Sequence, residues 1–259
     1  MEQAKIDGHI QFTEHDHKYI NLNNKRQYIS CTTVIGQYFP KFKADMKNTA
    51  KTRRMFGMTF DEVVDMWDKK RIHSCNRGSE IHWGQEMIFR GTADKAAINP
   101  IHVSKEEYDK YCKFGWDYWY RMQEEGWQFH PEEILAGDEE ELAGQADLPM
   151  FNHATKEIKL IDFKTNEKEL LYSSPYHTML PPFESMGGGE LTKYGIQLAI
   201  YSILLERKYP EYKVTMNQIW HLRDGEITLI DLDMTMFRPV AEEILKRRRN
   251  EVCGNIQQS

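Results

Sequence analysis

The stretch "LIDFKT" at residues 160–165 sets an acid and a base two positions apart, Asp162 and Lys164, behind the apolar residues Ile158, Leu160 and Ile161. Apolar residues this dense predict a buried strand, and along a strand residues i and i+2 leave the same face. The carboxylate and the ammonium then emerge together, and Phe163 emerges on the other side. A lone acid, Asp147, stands upstream in "AGQADLPMF", far enough away for one strand, a turn and a second strand. Neighbouring antiparallel strands would bring both carboxylates to one end of a sheet. There they repel unless a proton or a cation intervenes. A hard divalent cation is the natural bridge, because Mg²⁺ takes one or two carboxylates together with water and phosphate oxygens. Lys164 is not a ligand for such an ion. Its charge suits a developing negative oxygen. By itself, Asp-x-Lys at a strand end is also how an ordinary surface ion pair looks.

Two further pairs have helical spacing. In "GSEIHWGQE", His82 and Glu86 fall at i,i+4 on one helix face. In "KYGIQLAIYSILLE", Gln197 and Tyr201 have the same spacing on an otherwise apolar helix. A helical His is commonly a satisfied structural residue. A Gln in such a helix either faces water or needs a buried partner.

The elements that must carry these residues follow from the patterning. "HIQFTEHDHKYINLNNKRQYIS" alternates like a hairpin or meander, and its His15-Asp16-His17 reads as structural. "TTVIGQYF" predicts a short Thr-capped helix stopped by Pro40. Residues 43–90 are mostly helical, with Phe60, Val63, Val64 and Trp67 in register, a break at Asn76-Arg77-Gly78, and a restart capped by Ser79. "SKEEYDKYCKFGWDYWYRMQEEG" predicts a long helix whose stripe of Tyr108, Tyr111, Trp116 and Trp119 packs into the core. Residues 132–166 read as three strands, with "HATKE" as the second turn. A Gly/Pro-rich loop over 172–192 follows and should hang near the site. The remainder reads as a helix, a hairpin with an Asp224-Gly225 turn, and a last helix with "KRRR" near its C-terminal end. Without a compositional linker, one α/β domain over 1–259 is expected: an N-terminal portion (1–77), a motif-bearing core (78–205) and a C-terminal hairpin and helix (206–259).

The chain has 259 residues, a net charge of −6 and 29% charged residues. That balance argues against a coat of basic charge for nucleic acid but not against a local grip. No apolar run has the length of a membrane span and no secretory leader is visible, so no membrane partner and a cytoplasmic location are expected. Cys31, Cys75, Cys112 and Cys253 are scattered, which argues against a disulfide framework or zinc site. "MGGGELTK" lacks the ending of a phosphate loop. No G-x-S-x-G elbow supports serine hydrolase chemistry.

Taken in chain order, GSxxH (Gly78, Ser79, His82), GxxDL (Gly144, Asp147, Leu148), IDFKT and QxxxY (Gln197, Tyr201) resemble the PD-(D/E)XK nuclease superfamily. Within it they are most similar to the RecB-like exonuclease branch, which includes stand-alone phage and mitochondrial exonucleases. The resemblance covers residues 78–205. It implies a restriction-endonuclease-like α/β core, with a mixed central β-sheet flanked by helices, plus a helical N-terminal portion. It implies a Mg²⁺- or Mn²⁺-dependent DNA exonuclease serving recombination, repair or replication processing, with DNA that is single-stranded or has a free end as partner. It also implies metal ligation by His82, Asp147, Asp162 and the backbone carbonyl of Phe163, and catalysis by Lys164 with both aspartates. Gln197 and Tyr201 become supports or DNA contacts, and Glu86 an outer group at the site. Iron–sulfur members carry three closely spaced cysteines downstream. Here only Cys253 lies there, so no iron–sulfur cluster is expected. The alternatives are a structure-specific or restriction-like endonuclease and a non-catalytic DNA-binding protein on the same fold.

Overall fold

The computed structural model describes residues 4–92, 98–171 and 177–256. The N-terminal alternation forms a meander of β1 (Lys5–Asp7), β2 (Ile10–Thr13), β3 (Lys18–Asn21) and β4 (Gln27–Ser30). α1 (Cys31–Gly36) follows at once, and its cap is Ser30 rather than a threonine. The Ser30 hydroxyl accepts the Thr33 N–H at 3.1 Å. α2 (Ala50–Phe56) precedes α3 (Phe60–Phe89), which starts in a capping box between Thr59 and Glu62.

The break expected at Asn76-Arg77-Gly78 is absent. α3 runs through it, so the portion boundary drawn at residue 77 falls inside a helix. Tertiary contacts outweigh the local cost of a helical glycine, about 1 kcal/mol. Arg77 donates to the Thr165 carbonyl at 3.2 Å and pairs with Glu107. Gly78 admits Thr165, whose Oγ1 lies 3.0 Å from where a Cβ would stand.

α4 (Lys105–Glu124) begins at the Ser104 cap. Tyr108 and Tyr111 of its aromatic stripe are buried, and Trp116 and Trp119 pack at the margin of the same cluster. β5 (Trp127–Phe129) is followed by four strands where three were expected: β6 (Glu133–Gly137), β7 (Leu142–Ala146), β8 (Leu148–Asn152) and β9 (Glu157–Lys164). The apparent second strand is cut at Asp147, where the chain leaves one sheet for another. α5 (Glu190–Lys208), β10 (Lys213–Arg223), β11 (Glu226–Asp231) and α6 (Met234–Ile256) complete the order. Asp224 and Gly225 both take positive φ, 54° and 75°, as a two-residue hairpin turn requires.

α6 continues well past "KRRR", so those residues do not occupy its last turn. Arg247 pairs with Glu243, and Arg249 pairs with Glu139 and Glu140. Of the Gly/Pro-rich segment, residues 172–176 lie outside the described residues. Residues 177–189 do not hang free: Met179 and Phe183 are buried, and the Leu180 N–H donates to the Tyr38 carbonyl at 2.8 Å.

The central sheet has the order β11-β10-β9-β8-β5. β9 and β10 are parallel and the other pairs antiparallel, so it is mixed, as expected. Its faces bury different clusters. Ile158 and Leu160 pack with α5 and α6, whereas Ile161 and Phe163 pack with α4 and the C-terminal half of α3. A second sheet, β1-β2-β3-β4-β7-β6, joins the meander to the middle of the chain through parallel pairing of β4 with β7. Among the described residues, no helix is long and apolar enough to cross a membrane.

Candidate metal centre

The site forms where the two sheets share a chain. Ala146 pairs with Glu133 in one sheet and Leu148 pairs with Ile161 in the other, so Asp147 alone spans the change. If the β8–β9 register continued, Phe163 would face Ala146, but Ala146 is committed elsewhere. The Phe163 N–H is left without a strand partner and donates instead to Asp147 Oδ2 at 2.7 Å. A buried amide is thereby satisfied by a carboxylate, and the carboxylate is fixed at the end of β9.

β9 delivers the Asp-x-Lys pair as its alternation demands. Phe163 enters the cluster under α3, and Asp162 and Lys164 leave the opposite face in contact with each other. α3 brings His82 across, with Nδ1 3.6 Å from Asp147 Oδ2. Its ring meets that of Phe163 edge-on at 5.7 Å. The spacing that puts His82 here also buries Ile81, Gly84, Gln85, Ile88 and Phe89 on the core side of α3.

The QxxxY pair braces the site from α5. Gln197 is buried rather than facing water, and its amide donates to the Tyr201 hydroxyl at 3.4 Å. The hydroxyl end of Tyr201 packs against Gly144: a Cβ there would stand 2.6 Å from its ring. The glycine of GxxD is thus the space that the tyrosine of QxxxY occupies. Glu86 is held by Lys5 and Arg90, at 3.8 Å and 2.8 Å.

Glu132 was not singled out in the sequence, yet it stands with the site. One ligand atom each of His82, Glu132 and Asp147 lies within 4.8 Å of the others. The Glu132 N–H donates to the Asp147 carbonyl at 2.9 Å, and Glu132 adopts φ 59°. A positive φ at a non-glycine residue marks an over-determined position. The only sequence signal was an acid directly before a strand that leads toward Asp147.

Charge is tightly poised. Burial raises the Asp162 carboxyl to about 6; Lys164 pulls the other way and Asp147 adds to the rise. Burial also raises Asp147, against Lys164 and the Phe163 amide. Burial, then Asp147 and Glu86, push Glu132 to about 8. His82 is lowered to about 4 by burial and by Lys164, which keeps its ring neutral and able to ligate. For Lys164, burial opposes the charge, but Asp162, Asp147 and Tyr194 outweigh it and raise the ammonium above its ordinary value. Its Nζ sits 4.6 Å over the Tyr194 ring.

These residues fit a divalent cation. Oδ1 of Asp162, which is 1% exposed, lacks a hydrogen-bond donor among the described residues, and Oδ2 meets only Lys164. Carboxylates with one imidazole suit Mn²⁺ or Mg²⁺. The site borders a cavity of about 1120 Å³ lined by α3, the meander, the residues after β9 and α5, with Asp162 behind its wall. His82, Asp147, Phe163, Lys164, Gln197, Tyr201, Glu86 and Glu132 all line it.

No family model matches the chain, and no curated protein sequence matches it. Among solved structures it is similar to a protein of Eubacterium rectale described as a "Putative exonuclease", with 13% identity over 67% of this chain and 68% of that one, at a TM-score of 0.37. It is also similar to a protein named SSO0001, with 17% identity over 40% of each chain, at a TM-score of 0.23. Likeness this low assigns neither family nor activity.

Proposed function

We propose that this protein is a divalent-cation-dependent nuclease that hydrolyses phosphodiester bonds of DNA from a free end, as in recombination, repair or replication processing. One observation carries the reading: Asp162, buried with Oδ1 unmet and Oδ2 against a charged lysine, stands behind a second aspartate and a neutral histidine that line an open cavity. A structural ion pair has no use for unmet oxygens in that setting. Acidic side chains outnumber Lys and Arg around the cavity, so a polyanion enters only with added positive charge.

Asp147, Asp162, His82 and the Phe163 carbonyl would hold the cation, with Glu132 as a further carboxylate. Bound there, a Mg²⁺ or Mn²⁺ ion supplies charge neutralisation at the scissile phosphate and a more acidic water. Lys164 keeps its proton and, held by Asp162 and Tyr194, donates to a phosphoryl oxygen as its charge grows. Gln197 and Tyr201 hold the strand ends that carry these groups in place.

End dependence is supported by the walls. Lys70, Arg71, Ser74 and Cys75 of α3 line one side of the cavity, and Lys70 joins α3 to Glu167, after β9, at 2.7 Å. A trough walled on this side suits a threaded strand better than an intact duplex. The test incubates linear DNA, the same DNA as a closed circle, and a single-stranded circle with Mg²⁺ or Mn²⁺. Loss of the linear form alone is expected. Equal cutting of the circles would make the protein an endonuclease, and binding without cutting a non-catalytic one.

A further inference from the structure

The chain holds six tryptophans, and five are accounted for by their surroundings. Trp67 meets Phe42, Trp116 meets Trp119, Trp127 lies under Lys159, and Trp220 packs in an aromatic cluster with its N–H on Gln218. Trp83 has no aromatic, cationic or hydrogen-bonding partner among the described residues. It is 37% exposed, and it lines the site's cavity.

Its place in the helix explains why it does not join the core. α3 buries Ile81, Gly84, Gln85 and Ile88, and His82 turns toward Asp147. Trp83 falls on the face with Ser79 and Glu86, which line the same cavity. Leaving a large indole on that face forfeits burial worth about 2 kcal/mol. Cations fringe this face: Lys5 and Arg90 converge on Glu86, one turn away. A flat apolar ring, an unpaired N–H and adjacent cations are the parts of a stacking platform for a nucleobase whose backbone runs over basic residues.

We propose that Trp83 stacks a base of a single strand lying in the cavity, next to the phosphate presented to His82, Asp147 and Lys164. This deepens the nuclease reading and rests on it. Stacking engages any base, so the contact sets the position and the single-stranded form of the substrate rather than its sequence.

The test measures binding of a fluorescein-labelled oligothymidylate by anisotropy, without divalent metal so that the strand stays intact. Wild type, W83F and W83A are compared, with melting curves to show that the variants fold. A second series carries one abasic residue at successive positions from the end. The expected result is a tenfold or greater loss of affinity in W83A, with W83F within about threefold of wild type. One abasic position should weaken wild type and leave W83A unchanged. Cleavage of linear DNA by wild type is scored separately. Intact cleavage and binding with W83A within twofold of wild type would overturn the stacking role and leave the nuclease standing. If wild type neither binds nor cleaves, both fall.

Discussion

Two carboxylates among the described residues are fully buried, and the chain treats them in opposite ways. Glu140, 0% exposed, sits in the turn between β6 and β7 with its oxygens saturated. Arg207 donates to both at 3.1 Å and 3.2 Å, and Arg249 donates to one at 2.8 Å. Gly137 leaves the space it fills, since a Cβ there would meet Glu140 Oε2 at 2.6 Å. Asp162 has one lysine against Oδ2, a second carboxylate nearby and no hydrogen-bond donor to Oδ1 among the described residues. Burial by itself therefore says little about a carboxylate. What separates structure from chemistry is whether its lone pairs are used.

The contrast can be broken most sharply at the site. Asp162→Asn, like Asp147→Asn, should abolish cleavage and weaken Mn²⁺ binding, measured by calorimetric titration. It should leave the metal-free Tm equal or higher, because burying that charge costs more than its contact with Lys164 returns. Unchanged Mn²⁺ affinity in both variants would remove the metal centre.

Lys164→Ala comes next. Cleavage should fall by more than tenfold, about 1.4 kcal/mol of barrier, while Mn²⁺ affinity persists. A rate above a tenth of wild type would take Lys164 out of the chemistry.

Glu140→Gln should show the reverse pattern. Removing one partner of a buried pair whose arginines are partly solvated costs about 2–3 kcal/mol, a Tm lower by about 5–10 °C. Cleavage at a permissive temperature should stay within twofold. A loss of activity without a loss of Tm would erase the distinction drawn here.

The smallest expected effect is a pH slope. In the metal-free protein Glu132 holds its proton to about 8 and Asp162 to about 6, both above their unfolded values. Between those unfolded values and the folded ones the folded state binds more protons. Stability from these groups is therefore complete in acid and is lost as pH rises. Metal-free Tm should decline from pH 5 to pH 8, and Glu132→Gln should flatten the upper part of that decline. An identical slope in the variant would mean that Glu132 titrates normally.

Much of this was legible because it is local. The alternation of Ile158 to Lys164 placed Asp162 and Lys164 on one face without knowledge of any neighbour. Helical spacing did the same for His82 with Glu86 and for Gln197 with Tyr201. What escaped depends on distant partners. Asn76-Arg77-Gly78 reads as a helix breaker, but its residues serve Thr165 and Glu107 across the fold. Glu132 joins the site where β7 and β8 belong to different sheets, and a single Asp in "LAGQADLPMF" does not announce a one-residue change of sheet. Gln197 could be read as facing water or as needing a partner, and only the packing of Tyr201 on Gly144 decides it.

The one-residue passage from β7 to β8 also bears on how such a sequence can drift. The turn at 153–156 ends in solvent and can gain or lose residues at little cost. At Asp147 there is no slack. One added residue would turn every side chain of β7 or β8 to the other face of its sheet. Gene variants with altered length at this junction should therefore be missing from any collection of functional descendants. The junction acts as a ruler, and it fixes the distance between the two sheets by counting.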